Sequence, residues 1–91
     1  MEHYDIKITG NVQGVSLRLA CQKRAQELGL KGFVQNMSDG SVHLEIEGES
    51  DPIEKFLGDL ENGFGYVDHE SLTRNQGQVK SFESFSIKIG K

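Results

Sequence analysis

The spacing of apolar residues in this chain switches back and forth between two periods, and the order of the switches leaves few folds open. Tyr4, Ile6 and Ile8 alternate with Asp5, Lys7 and Thr9, the signature of a half-buried strand. From about Val15 the repeat lengthens. Leu17, Ala20, Cys21, Ala25 and Leu28 recur every three or four residues, which predicts a helix with one apolar stripe and Gly29 as its stop. Phe33 and Val34 lead a second short strand through Met37, and "SDGS" (Ser38 to Ser41) predicts an Asp-Gly hairpin turn. Val42, Leu44 and Ile46 then alternate with His43, Glu45 and Glu47, so the third strand should carry one apolar and one wet face.

A second helix is predicted in "DPIEKFLGDLENG". Asp51 suits the cap, Pro52 the first helical position and Glu54 a reciprocal capping box; Ile53, Phe56, Leu57 and Leu60 make the apolar face, and Gly63 ends it. Tyr66 to Leu72 has weaker strand character. Arg74 to Gln78 reads as a polar loop, and Phe85, Ile87 and Ile89 alternate in a last strand. The fourth strand position is expected to be divided or extended.

Strand, helix, strand, strand, helix, strand is the order of the split βαβ arrangement. The fold class expected is therefore α+β: a ferredoxin-like βαββαβ sandwich, an antiparallel sheet with two helices on one face, as a single domain over residues 1–91. The crossover has a geometric consequence. One helix returns the chain between the first two strands, so they run the same way and end at the same edge. That makes the loop at Gly10 and the residues near Asn36 neighbours.

Charge narrows the function. With 10 Lys plus Arg against 14 Asp plus Glu the formal net charge is −4, and no dense basic stripe interrupts the chain, which argues against nucleic-acid or membrane-surface binding. No apolar run approaches bilayer length and the first residues are charged, so a cytoplasmic protein is expected, acting as a monomer. Cys21 is the lone cysteine and lies on the apolar stripe, where it is core filler rather than a nucleophile. His3, His43 and His69 lack ligand spacing, so no metal is expected. Glu45, Glu47, Glu49 and Asp51 read as a solvated acidic edge.

The stretch "GNVQGVSLR", Gly10 to Arg18, joins the first strand to the first helix. Helix-start N–H groups have no partner in their own helix, and the aligned peptide dipoles make that end electropositive. Glycines let backbone close around an anion, and an arginine one turn on adds a planar, permanently charged fork. The loop is of neither common phosphate-binding type: a Walker loop needs four residues between its glycines followed by Lys-Ser or Lys-Thr, and a dinucleotide fingerprint needs a glycine two positions after Gly10.

Together, "GNVQGVSLR", "AQELGLKGFVQN" and "DGSVHLEIEG" resemble the acylphosphatase family, densely from Tyr4 to Gly48 and more loosely to the end. Gly10, Val12, Gln13, Gly14, Val15, Arg18, Leu28, Gly29, Gly32, Val34, Asn36, Asp39 and Gly40 fall at the family's spacings. The resemblance implies a hydrolase of small-molecule acyl phosphates that needs neither a metal nor an organic cofactor and has two catalytic residues. Arg18 would bind the phosphate and Asn36 would position the attacking water, while the backbone of Val12, Gln13, Gly14, Val15, Ser16, Leu17 and Arg18 would form the cradle. Where the family carries bulky residues before the arginine, with an aromatic beside it, this chain has Ser16 and Leu17.

Two other readings compete. A non-catalytic domain of the same family would use the loop to bind phosphate or carbamoyl phosphate as a module, and an interaction domain would recruit a peptide along an exposed sheet edge. Without the surrounding constellation, Gly10 and Gly14 would be explained by turn geometry, and Arg18 by a solvated helix position.

Overall fold

The computed structural model describes residues 1–13, 16–65, 67 and 69–89. In chain order the elements are β1 (Glu2–Gly10), α1 (Leu17–Glu27), β2 (Lys31–Asn36), β3 (Val42–Gly48), α2 (Ser50–Glu61), a short 3-10 turn (Gly63–Gly65), β4 (His69–Gly77) and β5 (Phe85–Lys88). The sheet order is β4-β1-β3-β2-β5. This is the ferredoxin-like α+β arrangement expected, with one difference in the sheet. β1 with β3, β1 with β4 and β2 with β3 pair antiparallel, but β5 lies parallel to β2. The reason is directional: β4 runs against β1 and β2, the next connection reverses the chain once more, and β5 therefore arrives running with β2.

The helices cover the face expected from the alternation. Ile6, Ile8, Val34, Val42, Leu44 and Ile46 from the sheet pack with Leu17, Cys21 and Ala25 of α1 and Ile53, Phe56, Leu57 and Leu60 of α2 in one buried cluster. The pairing puts Ile6, Leu44, Val34 and Ile87 abreast on four adjacent strands, a continuous apolar row beneath the helices. Burial pushes the Cys21 thiol up to about 12, so it stays protonated in the core.

Element ends differ from expectation in instructive ways. α1 begins at Leu17 rather than near Val15, and its end is a Schellman motif: Leu30 N–H donates to Ala25 C=O (2.8 Å) and Gly29 N–H to Gln26 C=O (3.2 Å). α2 starts earlier than expected, at Ser50 with Glu49 as its cap, and no side chain caps it. Ile53 N–H makes the first helical bond, to Glu49 C=O (3.1 Å). Pro52 is tolerated two positions further in, as the third helical residue, because N–H groups of the first turn have no helical acceptor to lose.

The polar stretch expected as a loop, Arg74 to Gln78, is mostly strand: β4 continues through Gly77, paired residue by residue with β1 down to His3. Beyond it, residues 78–84 cross from one sheet edge to the other over the face opposite the helices. This strap overturns the reading of Glu45 and Glu47 as a solvated edge, since both are buried, Glu47 at 1% exposure together with His3. Glu47 accepts from His3 Nδ1 (2.8 Å), from the Phe82 backbone N–H (3.0 Å) and from the Lys80 backbone N–H. Lys80 Nζ donates to Glu45 (2.8 Å), and the Phe82 ring stacks on His3 and meets Phe33 edge-on. Burial raises the cost of ionising Glu47, but the hydrogen bonds from Lys80, Phe82 and His3 outweigh it and hold its carboxyl below the usual range. No helix of the described residues is long and apolar enough to cross a membrane.

Candidate active site

The end of β1 shows what Gly10 is for. Its φ is +115°, and a Cβ there would lie 2.6 Å from the Glu70 backbone nitrogen of β4, where the β1–β4 register shifts. Close approach of β4 and a left-handed backbone demand glycine. Val12 N–H then closes a tight turn onto Gly10 C=O (3.0 Å), and the Val12 side chain is buried in the core. Gly14 and Val15, both expected in the cradle, lie outside the described residues.

Ser16 delivers the chain into α1. It is the helix N-cap in a left-handed conformation (φ 62°, ψ 21°), which is sparsely populated for a residue with a side chain. Ala20 N–H bonds Ser16 C=O (3.1 Å), so the N–H groups of Leu17, Arg18 and Leu19 belong to the first turn, which has no acceptors within its own helix. That turn holds no acidic residue, and no side-chain hydrogen bond caps it. The electropositive helix end is therefore not neutralised from within.

Asn36 closes the opposite side. It is the last residue of β2, and because side chains alternate it shares the face of Val34, two residues earlier, rather than that of Phe33. Val34 is in the core under the helices, while Phe33 packs against Phe82 beneath the strap. Asn36 therefore lies on the helix-covered face of the sheet.

Arg18 and Asn36 come together in one pocket. It has a volume of about 430 Å³ and is lined by Val12, Ser16, Leu17, Arg18, Leu19, Asn36, Ile87 and Ile89. Among these residues Arg18 is the only charged one. None offers a carboxylate, imidazole or thiolate, so the described lining has no donor set for a metal. Histidine and carboxylates do gather elsewhere, contrary to what their spacing suggested: ligand atoms of His3, Asp5 and Glu45 lie within 4.8 Å of one another on the strap side of the sheet. There they bond each other and Lys80.

One residue has a role that sequence reasoning missed. The Gln13 side-chain amide donates to Met37 C=O (2.9 Å) and Ser41 C=O (2.8 Å), tying the loop to the β2–β3 hairpin immediately after Asn36. The hairpin is itself fixed: Met37 N–H bonds Ser41 C=O, Gly40 N–H bonds Met37 C=O, and Asp39 accepts from the Ser41 N–H and hydroxyl. Gln13 holds in one frame the two segments that carry Arg18 and Asn36. The only signal in the sequence was a polar residue inside a tight loop, with nothing to mark its acceptors.

Comparison with known proteins gives a consistent result. The acylphosphatase family model matches residues 4–87. The chain is 34% identical over 83 residues to an acylphosphatase of Archaeoglobus fulgidus, covering 91% of this chain and 93% of that protein. The crystal structure of acylphosphatase from Bacillus subtilis superposes with a TM-score of 0.91 at 29% identity, covering 97% and 99% of the two chains. A structure of full-length HypF in a phosphate- and nucleotide-bound form contains a similar portion, with a TM-score of 0.89 at 32% identity, covering 96% of this chain and 12% of that one.

Proposed function

Because the chain belongs to the acylphosphatase family and hydrolyses acyl phosphates, we propose that the pocket between Ser16 and Asn36 is where it does so, with Arg18 and Asn36 as its catalytic residues. The observation that carries this reading is the convergence of Arg18, the first turn of α1 and Asn36 on one cavity whose described lining residues carry no negative charge.

An acyl phosphate is a mixed anhydride whose leaving group is a carboxylate. So weak a base departs without strong general-acid help, and the reaction asks chiefly for positioning and charge stabilisation. The Arg18 guanidinium engages two phosphoryl oxygens at once, and backbone N–H groups between Val12 and Arg18 take the remaining oxygens. The Asn36 carbonyl oxygen accepts a hydrogen bond from the attacking water, while its amide donates to the phosphoryl group. Asparagine is no base, so the water's proton passes to a phosphoryl oxygen of the substrate. Attack at phosphorus breaks the bond to the bridging oxygen and releases carboxylate and inorganic phosphate. We take the protein to act as a monomer on a small-molecule substrate.

The test is turnover of acetyl phosphate without added metal. Arg18→Ala and Asn36→Ala should each abolish it, a loss of at least about 100-fold by analogy with removing one preorganised oxyanion donor, while circular dichroism stays that of the parent. Phosphate binding without turnover in the parent would point instead to a binding module. Near-normal turnover in either variant would remove that residue from the mechanism.

A further inference from the structure

His3 holds a position that the acyl-phosphate chemistry does not use. Its ring is 1% exposed on the face of the sheet opposite the helices, and both of its nitrogens look at carboxylate oxygens. Nδ1 is 2.8 Å from Glu47 Oε2, while Nε2 is 3.3 Å from Asp5 Oδ1 and 3.3 Å from Glu45 Oε1. A neutral imidazole has one N–H and one lone pair, so on one side it would turn a lone pair towards acceptors. The doubly protonated ring donates on both sides at once.

The groups around the ring come from every neighbouring element. β1 supplies Asp5, and β3 supplies Glu45 and Glu47, with His43 Nε2 3.9 Å from Glu45. The strap supplies Lys80, whose Nζ donates to Glu45, and the Phe82 ring, which stacks on the imidazole at 6.1 Å. β2 sets Lys31 opposite Glu47 in the register, and β4 meets the ring with uncharged Gly77, so near that a Cβ there would lie 3.1 Å away. Three carboxylates therefore face His3, with the Lys80 ammonium already paired to one of them. A second ring proton puts a positive charge between them and makes each bond charge-assisted.

What this cluster holds down is the strap. Glu47 accepts the backbone N–H groups of Lys80 and Phe82, and at the strap's end Ser84 C=O accepts from Gly32 N–H (2.9 Å), where β5 begins. β5 is a four-residue edge strand paired with β2. Its ladder runs to Gln35, the residue before Asn36, and its Ile87 lines the pocket that Asn36 and Arg18 share. A change at His3 reaches the catalytic pocket through Glu47, the strap and β5.

We infer that His3 is a proton-operated clasp: with both ring nitrogens protonated it fastens the strap, and on losing one proton it releases the strap, loosens β5 and lowers turnover. The effect on turnover rests on the active site proposed above. The direction follows from charge. If Nε2 gives up the proton, its lone pair turns on Asp5 and Glu45; if Nδ1 does, Glu47 loses a donor; either way the carboxylates repel one another without a cation between them.

The test follows the isotope-labelled full chain by NMR as pH is raised from mildly acid to mildly alkaline, with kcat/KM for acetyl phosphate measured over the same range. At the acid end both His3 ring nitrogens should read as protonated. As the ring loses a proton, hydrogen-exchange protection of the Lys80 and Phe82 amides, taken relative to Val34 in the core, should fall at least about tenfold, the equivalent of one hydrogen bond to a charged group. Turnover should fall with the same midpoint by about tenfold, short of the roughly 100-fold that a 1 Å misplacement costs. Asp5→Asn removes one half-exposed acceptor facing Nε2 and should bring the ring, amide and turnover changes on together at lower pH. His3→Gln, with no second proton to lose, should show the loosened strap and the reduced turnover throughout; should it fail to fold, Asp5→Asn still decides. A singly protonated ring under a protected strap, strap protection indifferent to the ring's titration, or kcat/KM flat across the loosening would each overturn the clasp and leave the active-site assignment standing. Absence of turnover at every pH would instead sink that assignment, and the clasp's effect on it.

Discussion

Replacing Glu47 by glutamine should cost about 3 kcal/mol of folding stability, although the side chain touches neither Arg18 nor Asn36. The carboxylate is 1% exposed and accepts from three donors: His3 Nδ1 and the backbone N–H groups of Lys80 and Phe82. Glutamine keeps the volume and one acceptor oxygen, but its NH₂ must turn towards at least one of those donors. If it faces His3, which is as deeply buried, the ring must carry its proton on Nε2 for Nδ1 to accept, and the hydrogen bond to a charged carboxylate is lost at about 1.5–3 kcal/mol. If it faces the strap, Lys80 and Phe82 can recover water more easily, but the strap then loses its hold. Each hydrogen bond to a charged group that is lost costs about 1.5–3 kcal/mol, and the partial exposure of the strap brings the expectation to about 3 kcal/mol. Against a total stability of about 5–15 kcal/mol for a domain of this kind, the loss is large. It should lower Tm by about 12–24 °C, at 4–8 °C per kcal/mol.

Urea unfolding followed by circular dichroism measures the change, and hydrogen exchange locates it. The amides of Lys80 and Phe82 should lose protection ahead of the core strands. The pH dependence supplies a second readout. Since the Glu47 carboxyl is held below its unfolded value, its contribution is fully present above that value, about 4.3, and drains away as pH falls through the folded one. The parent should therefore lose stability on acidification more steeply than the variant. A ΔΔG under about 1 kcal/mol, or an unchanged acid slope, would refute the view that this buried carboxylate fastens the strap.

Other perturbations probe the pocket and its frame. Arg18→Lys keeps the charge but loses the planar fork, and should reduce kcat/KM for acetyl phosphate about 100-fold with unchanged thermal stability. Gln13→Ala frees the loop from the carbonyls of Met37 and Ser41; it should cost about 1–2 kcal/mol in urea unfolding and lower kcat/KM about tenfold or more through misplacement of Arg18 relative to Asn36. Asp39 is held down at about 2, first by the Ser41 hydroxyl and then by the Ser41 backbone N–H. Its NMR titration should show that midpoint and move upward in Ser41→Ala, and its contribution to stability should be present above the ordinary carboxylate pKa and vanish as pH falls towards 2.

The parts of this fold that the sequence discloses are those whose cause is local. Leu17, Cys21 and Ala25 point to α1 because a helical stripe repeats every turn, and Ile6 or Leu44 to a strand because the pleat alternates side by side. Arg18 could be singled out for the same reason, standing in the first turn of a helix that opens on a glycine-containing loop. Asn36 needed the fold to settle its face, since Phe33 and Val34 are both apolar and the choice between them depends on the strap. β4 shows the limit clearly. Its residues after Leu72 are polar, and what makes them a strand is the ladder they share with β1.

Glu45 and Glu47 illustrate a deeper ambiguity. Alternating Val-His-Leu-Glu-Ile-Glu predicts one dry face and one charged face, and it does so equally well whether the charged face meets water or a crossing segment. What decides is the stretch from Gln78 to Ser84, more than thirty residues on, which brings backbone donors and a phenylalanine ring to that face. A carboxylate that finds three donors there can be buried and remain ionised; the same carboxylate under an apolar strap could not. The acceptor-rich face of β3 and the donor-bearing strap are two halves of one interaction. Exchanging the donors, for example Phe82→Pro, which removes a backbone N–H that Glu47 needs, should therefore destabilise the protein in the same acid-sensitive way as changing Glu47 itself.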